Sequence, residues 1–261
     1  MAAAGVCRVA AESELGCGER EGEKSPLDDR GGISASASDP SDSEGPEVDS
    51  DSDRGHRFQR EDTAIILDWD DTVLPSSWIS EQGLRLDSAG PMNGWQQEEL
   101  SSLSLLAVET LRLTKEVGNV VLVTNAERGW VELSCLKFLP ILYPMLESVK
   151  IMSARSEYES PDLSSPFEWK LRAFESEISR IFCSDLSTER PKNVVSLGDS
   201  LHEREALIQA TAHLPNCRTK SLKFVERPGM EQLRKQHLML ARCLRKIVHH
   251  DGNLDLSIRP A

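Results

Sequence analysis

The 261-residue chain is short of cysteine, of aromatics and of basic charge. Its six Cys stand far apart, at positions 7, 17, 135, 183, 217 and 243. No C-x-x-C and no Cys/His ligand spacing occurs, so the sequence indicates neither a zinc site nor a disulfide framework. Hydrophobic residues make up 39% and aromatics 5%. The first figure lies below the ~45–50% of ordinary globular chains, so part of this one is expected not to fold. No apolar run approaches the roughly 18 residues of a membrane span. The opening MAAAGVCRVAAESELG lacks the basic-then-apolar layout of a secretory signal. Lys and Arg total 30 against 43 Asp and Glu, a net charge of −13. That balance works against nucleic acid or an anionic membrane as partner. Neither G-x-x-x-x-G-K-[ST] nor G-x-G-x-x-G is present, which removes the common nucleotide-binding loops. An intracellular protein with reduced thiols, in the cytoplasm, the nucleus or both, is the expectation.

Residues 1–60 hold 14 acidic and 7 basic side chains, half of the 16 glycines, and Phe58 as their only aromatic. Such a segment cannot bury enough apolar surface to offset the entropy of ordering it, so a disordered acidic Ser/Gly-rich tail is expected there. Ser41, Ser43, Ser50 and Ser52 lie beside carboxylates, a pattern that suits an acid-preferring kinase.

From Glu61 to Ala261 the pattern changes to a single α/β domain. Five runs read as strands: 63–67 (TAIIL), 120–123 (VVLV), 149–152 (VKIM), 194–197 (VVSL) and 221–225 (SLKFV). Most lack polar-apolar alternation, as in strands covered on both faces. Helical patterns fall between them, at about 98–117, 127–138, 166–180, 200–210 and 230–249, the last amphipathic. This alternation predicts right-handed crossovers and a doubly wound, Rossmann-like parallel sheet of about five strands with helices on both faces.

In such sheets ligands sit outside the carboxyl ends of the strands. The first strand runs into Asp68-Trp69-Asp70-Asp71-Thr72, which puts Asp68 and Asp70 on one face, roughly 6–7 Å apart, and Trp69 on the other. The gap suits a phosphoryl group, and a divalent cation relieves the repulsion of the pair. A solvated acidic turn is the plain alternative. The second strand ends in Thr124-Asn125, whose hydroxyl and adjacent backbone N–H can hold phosphate oxygens or simply cap the next helix. The fourth ends in Gly198-Asp199-Ser200 with Glu203 following, which fits either a hard-cation site or a helix cap. A lysine follows from Lys170, opening the helix before that strand, or from Lys192 at its start.

The order D-x-D-x-T, strand-ending Thr, helix Lys, G-D-x-x-x-[DE] over residues 63–204 resembles the haloacid dehalogenase-like (HAD) superfamily of aspartate-nucleophile phosphohydrolases. The runs LDWDDTVLPSSW, VTNAERGWVELS and SARSEYE look like an uncharacterised eukaryotic group within it. The resemblance implies Asp68 as nucleophile and Asp70 as acid/base. It implies Mg²⁺ held by Asp68, the Asp70 carbonyl and Asp199, with Glu203 in place of the more frequent second Asp. It further implies Thr124 on a phosphoryl oxygen and Lys170 offsetting charge. The substrate would be a phosphorylated one, a phosphoprotein or a small phosphate ester.

Caps select substrates in that superfamily. The segment 73–97 is too short for a folded cap and is expected to form an extended flap, leaving the cleft open. Trp78, Trp95, Trp130 and Arg155 are rim candidates, and Arg155 can clamp a phosphate bidentately. Two rival readings remain. A phospho-receiver module is disfavoured because its phosphorylated Asp would end the third strand, where Ser153-Ala154-Arg155 stands. A non-enzymatic module that binds phosphate, metal or a partner protein is the other.

Overall fold

The computed structural model describes residues 58–88, 90–183 and 190–259. The tail and its serines lie outside the described residues, apart from its last three positions. Those three depart from the expected boundary. Phe58 is buried, with the Lys220 ammonium 4.6 Å from its ring centroid, and Arg60 donates to the Lys115 carbonyl.

Among the described residues six parallel strands form one sheet: β1 (Thr63–Leu67), β2 (Asn119–Thr124), β3 (Lys150–Ser153), β4 (Lys192–Gly198), β5 (Cys217–Lys223) and β6 (Leu254–Ser257). Their order is β3-β2-β1-β4-β5-β6. The chain moves outward from β1 to β3, then returns to place β4 against the other side of β1. The direction therefore reverses between β1 and β4, and the crevice beyond their carboxyl ends is where an open α/β sheet takes a ligand.

Both faces are covered. Along β1, Ile65 and Leu67 pack under α2 (Gly94–Val117), α3 (Trp130–Phe138) and α8 (Met230–His249). The alternate residues Ala64 and Ile66 pack against α6 (Pro166–Phe182) and α7 (Leu201–Thr211). Burial on both sides removes the alternation of polar and apolar residues. Of the remaining helices, α1 (Ser76–Glu81), α4 (Tyr143–Leu146) and α5 (Ala154–Tyr158) are one or two turns long.

Several expectations need correction. The sixth strand, LDLS, is a short parallel edge strand with too little apolar content to read as one. The step from β4 to β5 runs through α7 on the α6 face, and that from β5 to β6 through α8 on the α2 face. Both steps go outward in one direction, so the two crossovers have opposite hands and cannot both be right-handed. α2 begins at Gly94, four residues early, because Asn93 and Gln96 make a reciprocal capping box. The flap is not extended: it contains α1, and the Lys137 ammonium binds the carbonyls of Arg85, Leu86 and Ser88 at 2.7, 2.9 and 2.9 Å. Trp78 packs on Trp95, with ring centroids 5.8 Å apart. No helix among the described residues is long and apolar enough to cross a membrane.

His237 of α8 is buried between the layers, its Nδ1 2.8 Å from the Thr110 hydroxyl and its ring edge-on to Phe224. Burial lowers its pKa to about 4. The unfolded chain takes up a proton near pH 6.5 and the native one does not, so stability is lost as pH falls from about 6.5 to 4. The loss approaches about 3 kcal/mol. Urea unfolding of wild type beside His237→Gln checks it: the wild-type free energy should fall more steeply over that window, and parallel curves would contradict it.

Candidate active site

Register brings the first and fourth motifs together. Leu67 of β1 pairs with Leu197 of β4, and the Asp68 N–H donates to the Leu197 carbonyl at 2.9 Å. Asp68 and Asp199 thus leave adjacent strand ends at the switch point. Trp69 turns inward, fully buried, and its indole N–H donates to the Ser134 hydroxyl at 3.0 Å. That anchor fixes the alternation of side chains. Asp71, two residues on, has φ of 52°, a left-handed conformation that Asp tolerates better than most. Its carboxylate accepts from the Ser77 N–H at 2.8 Å and from the hydroxyls of Ser77 and Ser76 at 2.5 and 3.2 Å. Asp71 therefore staples the loop to the start of α1.

Lys170 comes from α6 and is only 3% exposed. Its ammonium donates to Asp68 Oδ1 at 2.7 Å and to the Glu203 carboxylate. Burial works against its charge, but Asp68 and Glu203 together raise its pKa above the ordinary lysine value. Asp68 is pushed well up by burial, more than Lys170 offsets, with Glu203 and Asp70 adding repulsion. Glu203 goes the other way. Burial opposes its ionisation, yet Lys170 and Ser200 hold it below the usual carboxylate range.

Asp70 is half-buried. Its Oδ1 accepts the Trp130 indole N–H at 3.0 Å, and its Oδ2 faces the Thr124 hydroxyl at a long 3.4 Å. Burial raises its pKa, and the bond from Trp130 pulls against that rise. Asp199 is raised to about 7 by burial, with the charges of Glu203 and Asp71 adding to it. Thr124 is buried at the end of β2, and its hydroxyl also accepts the Ala126 N–H at 3.0 Å.

Other assignments change. Arg155 lies on α5, bonded to Glu159 at 2.9 Å and stacked over Trp169 at 5.8 Å, so its charge is spent locally and it does not join the cluster. The Asn125 amide donates to the Pro166 carbonyl at 3.0 Å, tying β2 to the start of α6. That bond engages the side-chain amide and leaves the expected role of the backbone N–H at this strand end untouched. Lys192 sits at the opposite end of the sheet beside Asp62, which leaves Lys170 as the lysine in the cluster. Glu203 is engaged on both oxygens, by Lys170 and by the Ser200 N–H and hydroxyl at 2.9 and 2.5 Å. It stands as a partner for the lysine and the helix cap, not as an open metal donor. Sequence reasoning missed the Trp130 bond to Asp70 and the Asp71 staple. An indole 60 residues from its acceptor leaves no local signal, whereas D-x-x-x-x-S-S at a helix start is a readable capping pattern.

Gly198 is required by this arrangement. A Cβ there would lie 2.3 Å from Glu203 Cγ and 2.7 Å from Cδ. Gly198→Ala is expected to push Glu203 off Lys170 and to cost about 1–3 kcal/mol in urea unfolding. Gly94→Ala, where nothing lies within 4 Å, should be neutral or slightly stabilising. Equal effects of the two would contradict the packing argument.

The residues that would hold a divalent cation here are Asp68, Asp199 and the Asp70 carbonyl. Burial pushes the Asp68 and Asp199 carboxyls up, and Lys170 offsets this only in part. All the donors are oxygen, as Mg²⁺ prefers, and that ion commonly takes one or two carboxylates and keeps several waters. Among the described residues no group of three or more His, Cys, Asp or Glu is arranged to hold a metal ion. No family model, curated protein or solved structure matches the chain.

Proposed function

We propose that this protein is a Mg²⁺-dependent phosphatase of the HAD type, hydrolysing phosphoric monoesters through a covalent aspartyl-phosphate. One observation carries the reading. Lys170 is bonded to Asp68 at the sheet's switch point, with Asp70 positioned beside it by Trp130 and Thr124. A solvated acidic turn needs no buried lysine, so the alternative from composition loses its appeal.

With Oδ1 of Asp68 engaged by Lys170, Oδ2 is the free oxygen to attack phosphorus. As that O–P bond forms, the bond to the leaving oxygen breaks, and Asp70 supplies its proton. Burial favours the protonated Asp70 required for this step. Asp70, now ionised, then takes a proton from water, which attacks phosphorus and releases phosphate and the Asp68 carboxylate. Thr124 donates a hydrogen bond to a phosphoryl oxygen, and Lys170 stays charged throughout. Asp68, Asp199 and the Asp70 carbonyl would hold Mg²⁺, which when bound neutralises charge on the transferring group. The described flap is small and folded, which leaves the cleft accessible to large substrates.

The test is turnover of a generic aryl phosphate with and without Mg²⁺, with samples acid-quenched during turnover. Mg²⁺-dependent release of phosphate, with a hydroxylamine-labile phosphoryl group trapped on Asp68, is expected. Turnover with no phosphoryl group trapped and single-step inversion at a chiral phosphorus would remove the covalent step. No turnover of a broad ester panel would leave the binding-module reading in its place.

A further inference from the structure

The carboxyl end of β2 opens sideways as well as upward. Beyond Thr124 a cavity of about 380 Å³ is walled by Glu127, Arg128, Glu132, Ile151 and Ser153. A second, of about 310 Å³, continues past Tyr143, Leu146 and Glu147 and shares Glu132 and Ile151 with the first. The two adjoin at Glu132 and Ile151 and together border the length of β3. That strand is the end of the sheet and pairs only with β2 among the described residues. Alternate backbone N–H and C=O groups of an edge strand face outward, ready to pair with another chain.

The lining of the two cavities has a sign of charge. Its two basic side chains are taken up: Arg128 by Glu157 at 3.0 Å and Lys150 by Glu177 at 2.5 Å. Glu127, Glu132 and Glu147 have no ion pair among the described residues, and Glu132 Oε2 is buried there without a hydrogen-bond partner. An extended chain bearing Lys or Arg would satisfy these carboxylates and the strand edge together. The chain's own acidic N-terminal segment has the wrong charge to do so.

We infer that the substrate is a phosphopeptide that docks as an added strand on β3 through a Lys/Arg-bearing stretch and delivers its phosphorylated residue to Asp68. The phosphoryl half of this inference rests on the phosphatase reading, and the docking half on the β3 edge. Strands lie ~4.8 Å apart and β1 is two strands in from β3, so the added strand runs about 14 Å from the end of β1. At ~3.3 Å per residue, the phosphorylated residue falls about four positions from the docked stretch.

The experiment uses the full chain with Mg²⁺ and three probes. Two are phosphoserine peptides identical except for an alternating Val-Lys or Val-Glu stretch four residues from the phosphoserine, and the third is an aryl phosphate. The expected result is kcat/KM at least tenfold higher for the Lys peptide, falling below threefold in Glu132→Gln/Glu147→Lys. The unphosphorylated Lys peptide should also slow amide hydrogen exchange at residues 150–153. Equal kcat/KM for the two peptides, with aryl phosphate still hydrolysed, overturns the docking and leaves the phosphatase reading standing. Slowed exchange without hydrolysis of any probe supports the docking and removes the phosphatase reading. Slowing that depends on protein concentration alone, without peptide, overturns the inference in favour of edge pairing between two copies.

Discussion

Asp68→Asn is expected to lower phosphatase turnover at least about a thousandfold while leaving the protein as stable as wild type or more so. Loss of a nucleophile typically removes nearly all of the covalent contribution to rate. The stability half follows from the environment of the residue. Asp68 is buried, its pKa is raised by that burial, and it shares a single lysine with Glu203. Asparagine keeps an oxygen for the Lys170 ammonium at nearly the same shape and removes one of two competing charges. Lys170 then pairs with Glu203 alone, a more nearly neutral arrangement that costs less to bury. A site that spends stability on charge it needs for chemistry is the usual trade at catalytic centres. Steady-state hydrolysis and urea unfolding, run on the same preparations, check both halves. Retained turnover would falsify the nucleophile assignment. Lost turnover together with a loss of several kcal/mol would mean that the variant is merely unfolded.

Much of this architecture can be read directly from residue patterns, for an identifiable reason. The strands near the centre are buried on both faces, so TAIIL, VVLV and VVSL are continuous apolar runs that stand out from their surroundings. Their ends carry the chemistry because the backbone stops pairing there, so the strand ends also locate Asp68, Thr124 and Asp199. The edges are less legible. LDLS at β6 is half-exposed, four residues long and supported mainly by pairing with β5. α1 forms because Asp71, not any apolar periodicity, fixes its start.

Side-chain partnerships are the least legible part. Arg155 follows β3 at the carboxyl edge of the sheet and carries a guanidinium able to clamp a phosphate. Its hydrogen bond goes elsewhere because a nearer partner exists, Glu159 one helical turn on. Lys192 opens β4 and so lies at the far end of the sheet from Asp68, whereas the direction of α6 carries Lys170 to the carboxyl end. Sequence spacing places a residue at an end of the sheet; competition among nearby donors and acceptors decides where its side chain points.

The same competition governs Lys170→Met, for which a loss of about 3–5 kcal/mol is expected at neutral pH without Mg²⁺. Methionine fills the space of the aliphatic stem but leaves Asp68 and Glu203 buried with no positive charge between them. Removing one partner of a buried pair is strongly destabilising because the charge left behind is uncompensated. Part of the loss is relieved by protonation, since Asp68 is already pushed upward by burial and would titrate higher still. The cost should therefore shrink as pH is lowered toward the raised carboxylate pKa, where the variant's buried acids bind protons that the wild-type site resists. Glu203→Gln in the Lys170→Met background should recover a substantial fraction, because Gln can still accept from the Ser200 N–H and hydroxyl. In the wild-type background the same change should cost stability, because Glu203 there is ionised and paired. That reversal of sign gives a coupling energy of well over 1 kcal/mol in a double-mutant cycle. Additive effects of the two substitutions, measured by urea unfolding at constant m, would mean that Lys170 and Glu203 do not share a buried charge at all.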